Sequence, residues 1–177
     1  QMIEFWRNIY QKYGCAQINI SGGEPFIYYD FVDLVLELLK FHRIEIITNL
    51  SLDIDYLIDK VDSLALEIVP SFHPLFADFG KFKQRAILLK ENGFVRKISY
   101  LAWPPLISEL NYYRDEFTKL GFNFFARPFF GIYNGKKYPD MYTDEEKIVI
   151  LDSVIPSGDT PPPVEPIVTK GKLCRAG

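Results

Sequence analysis

Apolar runs of strand length alternate with stripes of helical spacing along most of this 177-residue chain. That alternation restricts the fold more than any other feature. The predicted strands cover Ala16 to Ser21, Ile44 to Thr48, Leu64 to Val69, Lys97 to Leu101 and Phe124 to Phe129. They are rich in β-branched and aromatic residues. Between them lie helical patterns. Ile3, Trp6 and Tyr10 mark the first, in a helix from Ile3 to Tyr13. Phe31, Leu34, Val35, Leu38 and Leu39 mark the second, with Asp30 as its N-cap. A short helix is expected around Tyr56 to Val61. Phe79, Phe82, Ala86 and Leu89 stripe the next, closed by Gly93, and Leu106, Leu110, Tyr113, Phe117 and Leu120 the last, closed by Gly121. The units recur roughly every 25–30 residues, the length of a βα crossover, without an accompanying sequence repeat. Five parallel strands so connected form either a (β/α) barrel, closed or partial, or an open doubly wound sheet.

In both architectures ligands bind at the C-terminal ends of the strands. That rule selects Gly22, Gly23 and Glu24 after the first strand, Thr48 and Asn49 after the second, Ser71 and His73 after the third, Trp103 after the fourth and Arg127 on the fifth. The run Ile18-Asn19-Ile20-Ser21-Gly22-Gly23-Glu24-Pro25 is the most telling. Two glycines let the backbone approach a ligand or adopt angles closed to other residues. Pro25 restricts Glu24 to an extended conformation. Plainer readings stand beside these. Gly22 to Glu24 could be a simple turn, Thr48 and Asn49 turn chemistry, His73 a structural histidine and Arg127 half of a salt bridge. Strand alternation places Glu67, Val69, Ser71 and His73 on one face.

The net charge of −3 gives no electrostatic grip on nucleic acid or an anionic membrane. The aromatic residues Phe124, Phe125, Phe129 and Phe130 have no basic stripe beside them and so do not form a nucleic-acid platform. No apolar run reaches the roughly 18 residues of a membrane span. Two cysteines far apart, Cys15 and Cys174, make no disulfide framework, which points to a reducing cytoplasm. Cys15 reads as a small buried apolar residue. Asn134-Gly135 predicts a two-residue hairpin turn between Phe130 and Tyr138, and Thr143 with Glu146 predicts a capping box. From Pro156 the chain reads as a stiff proline-rich linker leading to another module. A start at Gln1 and an end at Gly177 straight after a loop suggest a fragment of a longer protein.

Ser21-Gly22-Gly23-Glu24-Pro25 resembles the second-strand motif of the radical S-adenosylmethionine (radical SAM) superfamily. Ile46-Ile47-Thr48-Asn49 resembles the third strand of those enzymes, and Pro70-Ser71-Phe72-His73-Pro74 sits where their fourth offers a serine. Lys172-Leu173-Cys174-Arg175-Ala176-Gly177 resembles the opening of the auxiliary-cluster extension called SPASM or twitch. The resemblance implies an α/β fold, a partial (β/α) TIM-type barrel with parallel strands. It assigns 1–155 to the barrel, as strands two to six of the family fold, and 156–177 to the linker and the start of the extension. It implies a [4Fe–4S] cluster held by a Cys-x3-Cys-x2-Cys loop, an electron donor such as flavodoxin or ferredoxin, and cleavage of S-adenosylmethionine to a 5′-deoxyadenosyl radical that takes a hydrogen from substrate. Gly22, Gly23 and Glu24 would meet the methionyl ammonium, and Ser71 the methionyl carboxylate or ribose. Thr48 and Asn49 would line the same mouth. Cys174 would be the first ligand of an auxiliary cluster. His73 and Arg127 are weaker candidates for substrate contact. The Cys-x3-Cys-x2-Cys loop is not in this sequence, and the expectation is that it lies upstream of Gln1.

The substrate implied is a peptide or protein, with a small molecule left open. Two other readings compete. One is a non-catalytic module that keeps only the S-adenosylmethionine shelf. The other is an unrelated barrel enzyme in which Glu24, Glu67 and His73 bind a divalent metal.

Overall fold

The computed structural model describes residues 1–153. Strands β1 (Gln17–Ile20), β2 (Arg43–Thr48), β3 (Leu66–Phe72), β4 (Lys97–Ala102) and β5 (Asn123–Pro128) form one sheet in the order β1-β2-β3-β4-β5. Every pairing is parallel. The order follows the chain without a reversal, so there is no switch point of the doubly wound kind, and the sheet is the arc of a barrel.

The strands alternate in polarity over much of their length, more than a sheet buried on both faces would. One face carries Ile18, Ile44, Ile46, Leu66, Ile68, Phe72, Ile98, Tyr100, Phe124 and Ala126, all buried. Helices α2 (Phe31–Leu39), α3 (Phe79–Glu91) and α4 (Leu110–Lys119) cover it. Phe72 is the hub, with ring centroids of Phe82, Tyr113, Phe79 and Phe117 at 5.0, 4.8, 5.7 and 5.8 Å. The other face, by register, mixes Asn19, Glu45, Glu67, Ser71, Lys97, Ser99 and Arg127 with the apolar Ile47, Val69, Leu101 and Phe125. Lys97 bridges Glu45 at 2.7 Å and Glu67 at 3.7 Å low in this concave face.

Helix α1 (Met2–Tyr13) has no fully buried residue and is tied down through His42. The Ala16 N–H donates to His42 Nδ1 at 3.1 Å. Nε2 therefore carries the proton and donates to the Trp6 carbonyl at 2.9 Å. At the other end, β6 (Gly131–Tyr133) and β7 (Lys136–Tyr138) form the expected hairpin. Asn134 and Gly135 have φ of 47° and 73°, the two positive values a type I′ turn needs. Helix α5 (Asp144–Asp152) opens with the predicted capping box of Thr143 and Glu146. Tyr142 accepts from the Phe129 N–H at 3.0 Å and donates to the Ala102 carbonyl, which fixes this segment across β4 and β5.

Four expectations change. The helix around Tyr56 to Val61 is a single 3-10 turn, Asp55–Leu57. Asp53 and Asp62 accept from the backbone N–H groups of Asp55 and Leu64, and such local bonds compete with a helix. The stripe from Leu106 is broken: Pro104–Glu109 is 3-10, kinked at Leu106, and α4 begins only at Leu110. Asp30 sits at the N-cap position of α2 but makes no capping bond. Its ψ of 11° is not the extended geometry that aims a side chain back at the helix. Cys15 is exposed, not buried, because it lies in the α1–β1 link just before the sheet begins. The linker and Cys174 lie outside the described residues.

Truncating the hub should be costly. Phe72→Ala is expected to lower stability by about 3–5 kcal/mol, read from urea unfolding of the variant against the parent.

Candidate functional site

The site forms where the strands end. After β1, Gly22 and Gly23 have φ of 102° and 55°, which other residues rarely adopt, while a Cβ at either would meet nothing within 4 Å. Backbone conformation, more than crowding, is what requires glycine there. Glu24 follows with φ −118° and ψ 109°, the extended geometry expected before proline, and Pro25 starts a 3-10 turn.

Glu24 is 6% exposed, and its carboxylate reaches across to β2. Oε1 accepts from Thr48 Oγ1 at 2.8 Å and from the Phe26 N–H at 3.3 Å, and Oε2 accepts from the Asn49 N–H at 2.8 Å. Thr48 Oγ1 in turn accepts from the Leu50 N–H at 3.1 Å. Asn49 Oδ1 accepts from the Ser51 N–H at 2.8 Å. Arg85 of α3 donates to the Leu50 carbonyl at 2.6 Å. These bonds hold Leu50 at a φ of 54°. The turns after β1 and β2 are thus one unit. Glu24, Thr48 and Asn49 are brought together as expected, but their first partners are each other. Of the roughly four lone-pair sites of the carboxylate, three already have donors.

Strand β3 runs on past Val69 to Phe72, so Ser71 lies inside it and not after it, and Ser71 Oγ and His73 Nε2 lie 3.1 Å apart at the strand's end. Burial lowers the His73 pKa from 6.5, against an opposing pull from the Glu24 charge. His73 also lines a cleft of about 360 Å³ with Asn49, Leu50, Ser51, Lys81 and Arg85. Arg127, on the concave face of β5, stacks its guanidinium over Phe125 at 5.2 Å from the ring centroid, and among the described residues it pairs with no carboxylate. Trp103 packs edge-on against Phe129 and Tyr133 at 4.6 and 5.1 Å. The loops at this end also expose large apolar side chains: Ile27, Tyr28 and Tyr29 after β1, Leu75 and Phe76 after β3, Phe130 and Ile132 after β5.

The metal reading fails. Glu24 is engaged with β2, Glu67 with Lys97 and His73 with Ser71, and among the described residues no group of three His, Cys, Asp or Glu side chains could hold a metal ion. Sequence reasoning missed Arg85, which its helical stripe places off the apolar face, and His42, whose two bonds span 26 and 36 residues. At the opposite side of the mouth, β1 is an edge strand. Beside it runs an open groove of about 1060 Å³ whose walls include Trp6, Ile18, Ile20, Leu34 and Leu38.

No protein-family model and no curated protein matches the chain. Solved structures do. Native anSMEcpe with bound AdoMet and Kp18Cys peptide aligns with a TM-score of 0.60 at 14% identity, over 86% of this chain and 49% of that one. Hexahistidine-tagged anSMEcpe with bound AdoMet aligns at 0.55 and 15% identity, over 76% and 45%. The complex of native anSMEcpe with AdoMet and Cp18Cys peptide aligns at 0.53 and 14%, over 76% and 46%. These are structures of a radical SAM enzyme. The chain has their barrel fold. It spans about half the length of the neighbours it matches. Among the described residues, no helix is long and apolar enough to cross a membrane.

Two outcomes follow from the geometry. Glu24→Ala leaves the buried Thr48 hydroxyl and the Asn49 N–H without an acceptor and should cost roughly 1–3 kcal/mol for each, measured by urea unfolding. For His73, the folded pKa lies below the unfolded value of 6.5. The unfolded chain therefore takes up the proton first as the pH falls. The contribution of neutral His73 is complete above the unfolded value and is lost as the pH drops through it toward the folded one. Between about pH 7.5 and 5.5, a window that brackets the unfolded value, the parent should lose more stability than His73→Gln does; equal losses would exclude His73 as the cause.

Proposed function

We propose that this chain is the barrel portion of a radical SAM iron–sulfur enzyme, with S-adenosylmethionine bound at the mouth formed by Gly22 to Glu24, Thr48, Asn49 and Ser71. The observation that carries the reading is the joined turn after β1 and β2, built before any ligand arrives, on a barrel shared with AdoMet-bound structures. The exposed Gly22–Gly23 turn offers backbone carbonyls to an ammonium group, and Glu24 adds negative charge and its remaining lone pair. Ser71 offers a hydroxyl to a carboxylate or a ribose from the neighbouring strand. With the cofactors bound, the chemistry supplied is reductive cleavage of S-adenosylmethionine and hydrogen abstraction from substrate by the 5′-deoxyadenosyl radical.

The described residues contain no set that fits an iron–sulfur cluster: Cys15 is exposed and alone among them. In this proposal the cluster ligands lie beyond residues 1–153, with Cys174 serving an auxiliary cluster. The strand bearing the Cys-x3-Cys-x2-Cys loop pairs with the free edge of β1 and covers the groove beside Trp6, Ile18 and Leu34. An open parallel edge next to an apolar groove supports that placement. A small electron-carrier protein such as flavodoxin or ferredoxin supplies the electron. A peptide substrate is favoured over a small molecule by the exposed apolar side chains around the mouth, and anSMEcpe has been solved with peptides bound. Arg127 and His73 face that substrate side, and the cell compartment is a reducing cytoplasm.

The test is anaerobic reconstitution of the intact protein with iron and sulfide, followed by assay of S-adenosylmethionine binding and of 5′-deoxyadenosine release under reduction. Binding with release is expected, and Ser71→Ala should weaken binding about five- to tenfold, the worth of one hydrogen bond. Binding without release, and without an iron–sulfur absorbance, would leave the non-catalytic module; absence of binding would end both readings.

A further inference from the structure

We infer that His73 is a positioning residue for Ser71: its Nε2 holds the Ser71 hydroxyl in one direction, so that a ligand at the mouth meets a hydroxyl already aimed. The inference rests on the proposed S-adenosylmethionine site and extends it to a residue outside that site's direct contacts.

Three observations carry it. First, the 3.1 Å contact to His73 Nε2 is the one hydrogen bond that the Ser71 side chain makes among the described residues. Ser99 lies beside Ser71 across the β3–β4 pairing, and its hydroxyl is buried without a partner among those residues. Ser71 is therefore not drawn sideways along the sheet; in this inference Nε2–H donates to Ser71 Oγ at the strand end, and the hydroxyl keeps its own proton for a ligand. Second, the backbone that carries the imidazole is held. The His73 carbonyl accepts from the N–H groups of Phe76 and Ala77 at 3.0 and 2.9 Å, closing the turn that follows β3, and Pro74 restricts the His73 backbone. A fixed turn limits where the ring, and with it Nε2, can sit. Third, His73 lines one cleft with Asn49, Leu50 and Ser51 of the β2 turn that Glu24 secures, so the Ser71–His73 pair stands beside the proposed site.

The physical gain is preorganisation. A serine hydroxyl explores three staggered χ1 positions, and a bond that selects one before the ligand binds removes that ordering cost from the binding step. The identity of the side chain matters only through Nε2. An amide that reaches the same point should substitute, and a side chain of similar size without the nitrogen should not.

The experiment is a double-mutant cycle on the intact protein, with S-adenosylhomocysteine as a non-reacting probe and calorimetric dissociation constants as the readout. His73→Phe is expected to weaken binding about five- to tenfold, the size of one lost hydrogen bond, and His73→Gln to stay within about twofold. In the Ser71→Ala background, His73→Phe should have no further effect. If His73→Phe does not fold, as judged by its melting temperature, His73→Asn takes its place, since the shorter amide falls short of Ser71. Unchanged affinity in the single variants overturns the inference, and so does a full additional loss in the Ser71→Ala background. Failure of the parent protein itself to bind the probe overturns the proposed site, and this inference with it.

Discussion

One buried carboxylate holds the mouth of this half barrel in shape. Glu24 belongs to the loop after β1, yet its oxygens are committed to Thr48 and Asn49 at the end of β2. Burying a carboxylate is unfavourable unless donors replace its water. Here a hydroxyl and two backbone N–H groups do so. The consequences spread outward. With Thr48 and Asn49 fixed, the turn at Leu50 takes a positive φ and is clamped from α3 by Arg85. The cleft behind His73 then has a rigid wall. A site of this kind has its polar groups aimed before a ligand comes, which is the condition for selective binding.

The sheet itself is a two-sided object. Its outer face is apolar and buried under α2, α3 and α4, with Phe72 and its aromatic neighbours at the centre. Its inner face is mixed, and low in the arc its charges pair with each other through Lys97. This division explains how a barrel that is only partly closed remains folded. The helices supply the core. It also explains why the candidate site residues gather at the strand ends. There the backbone leaves the ladder, and glycine, serine and histidine can present groups that the sheet no longer uses.

The alternation of strands and helices was legible because burying one face imposes periods of two and 3.6 residues on the sequence itself. Asn134-Gly135 and the Thr143–Glu146 box were legible for a local reason: each needs only residues within a few positions. The misreadings were contests between local preferences. The stretch after Ile54 carries helical apolar spacing, but its aspartates bond to nearby N–H groups and hold a 3-10 turn instead. Pro104 and Pro105 set a 3-10 entry before α4. Asp30 stands at the right position with the wrong backbone angle for a cap.

For the site, the sequence by itself determined which residues stand at the strand ends, since parallel strands in chain order bring Gly22 to Glu24, Thr48, Asn49 and Ser71 to one side. It also determined that Gly22 and Gly23 occupy a turn demanding unusual angles. Only the tertiary structure decided what those side chains do with their hydrogen bonds. It gave Glu24 to β2, Glu67 to Lys97 and Ser71 to His73, which removed the metal triad and made a joined pair of turns in its place. It also brought in Arg85 and His42 through contacts spanning 26 to 36 residues. The reason is that a polar side chain can satisfy itself with any donor or acceptor in reach, and reach is set by how the chain folds back in space. Sequence spacing fixes a residue's face, but not its partner.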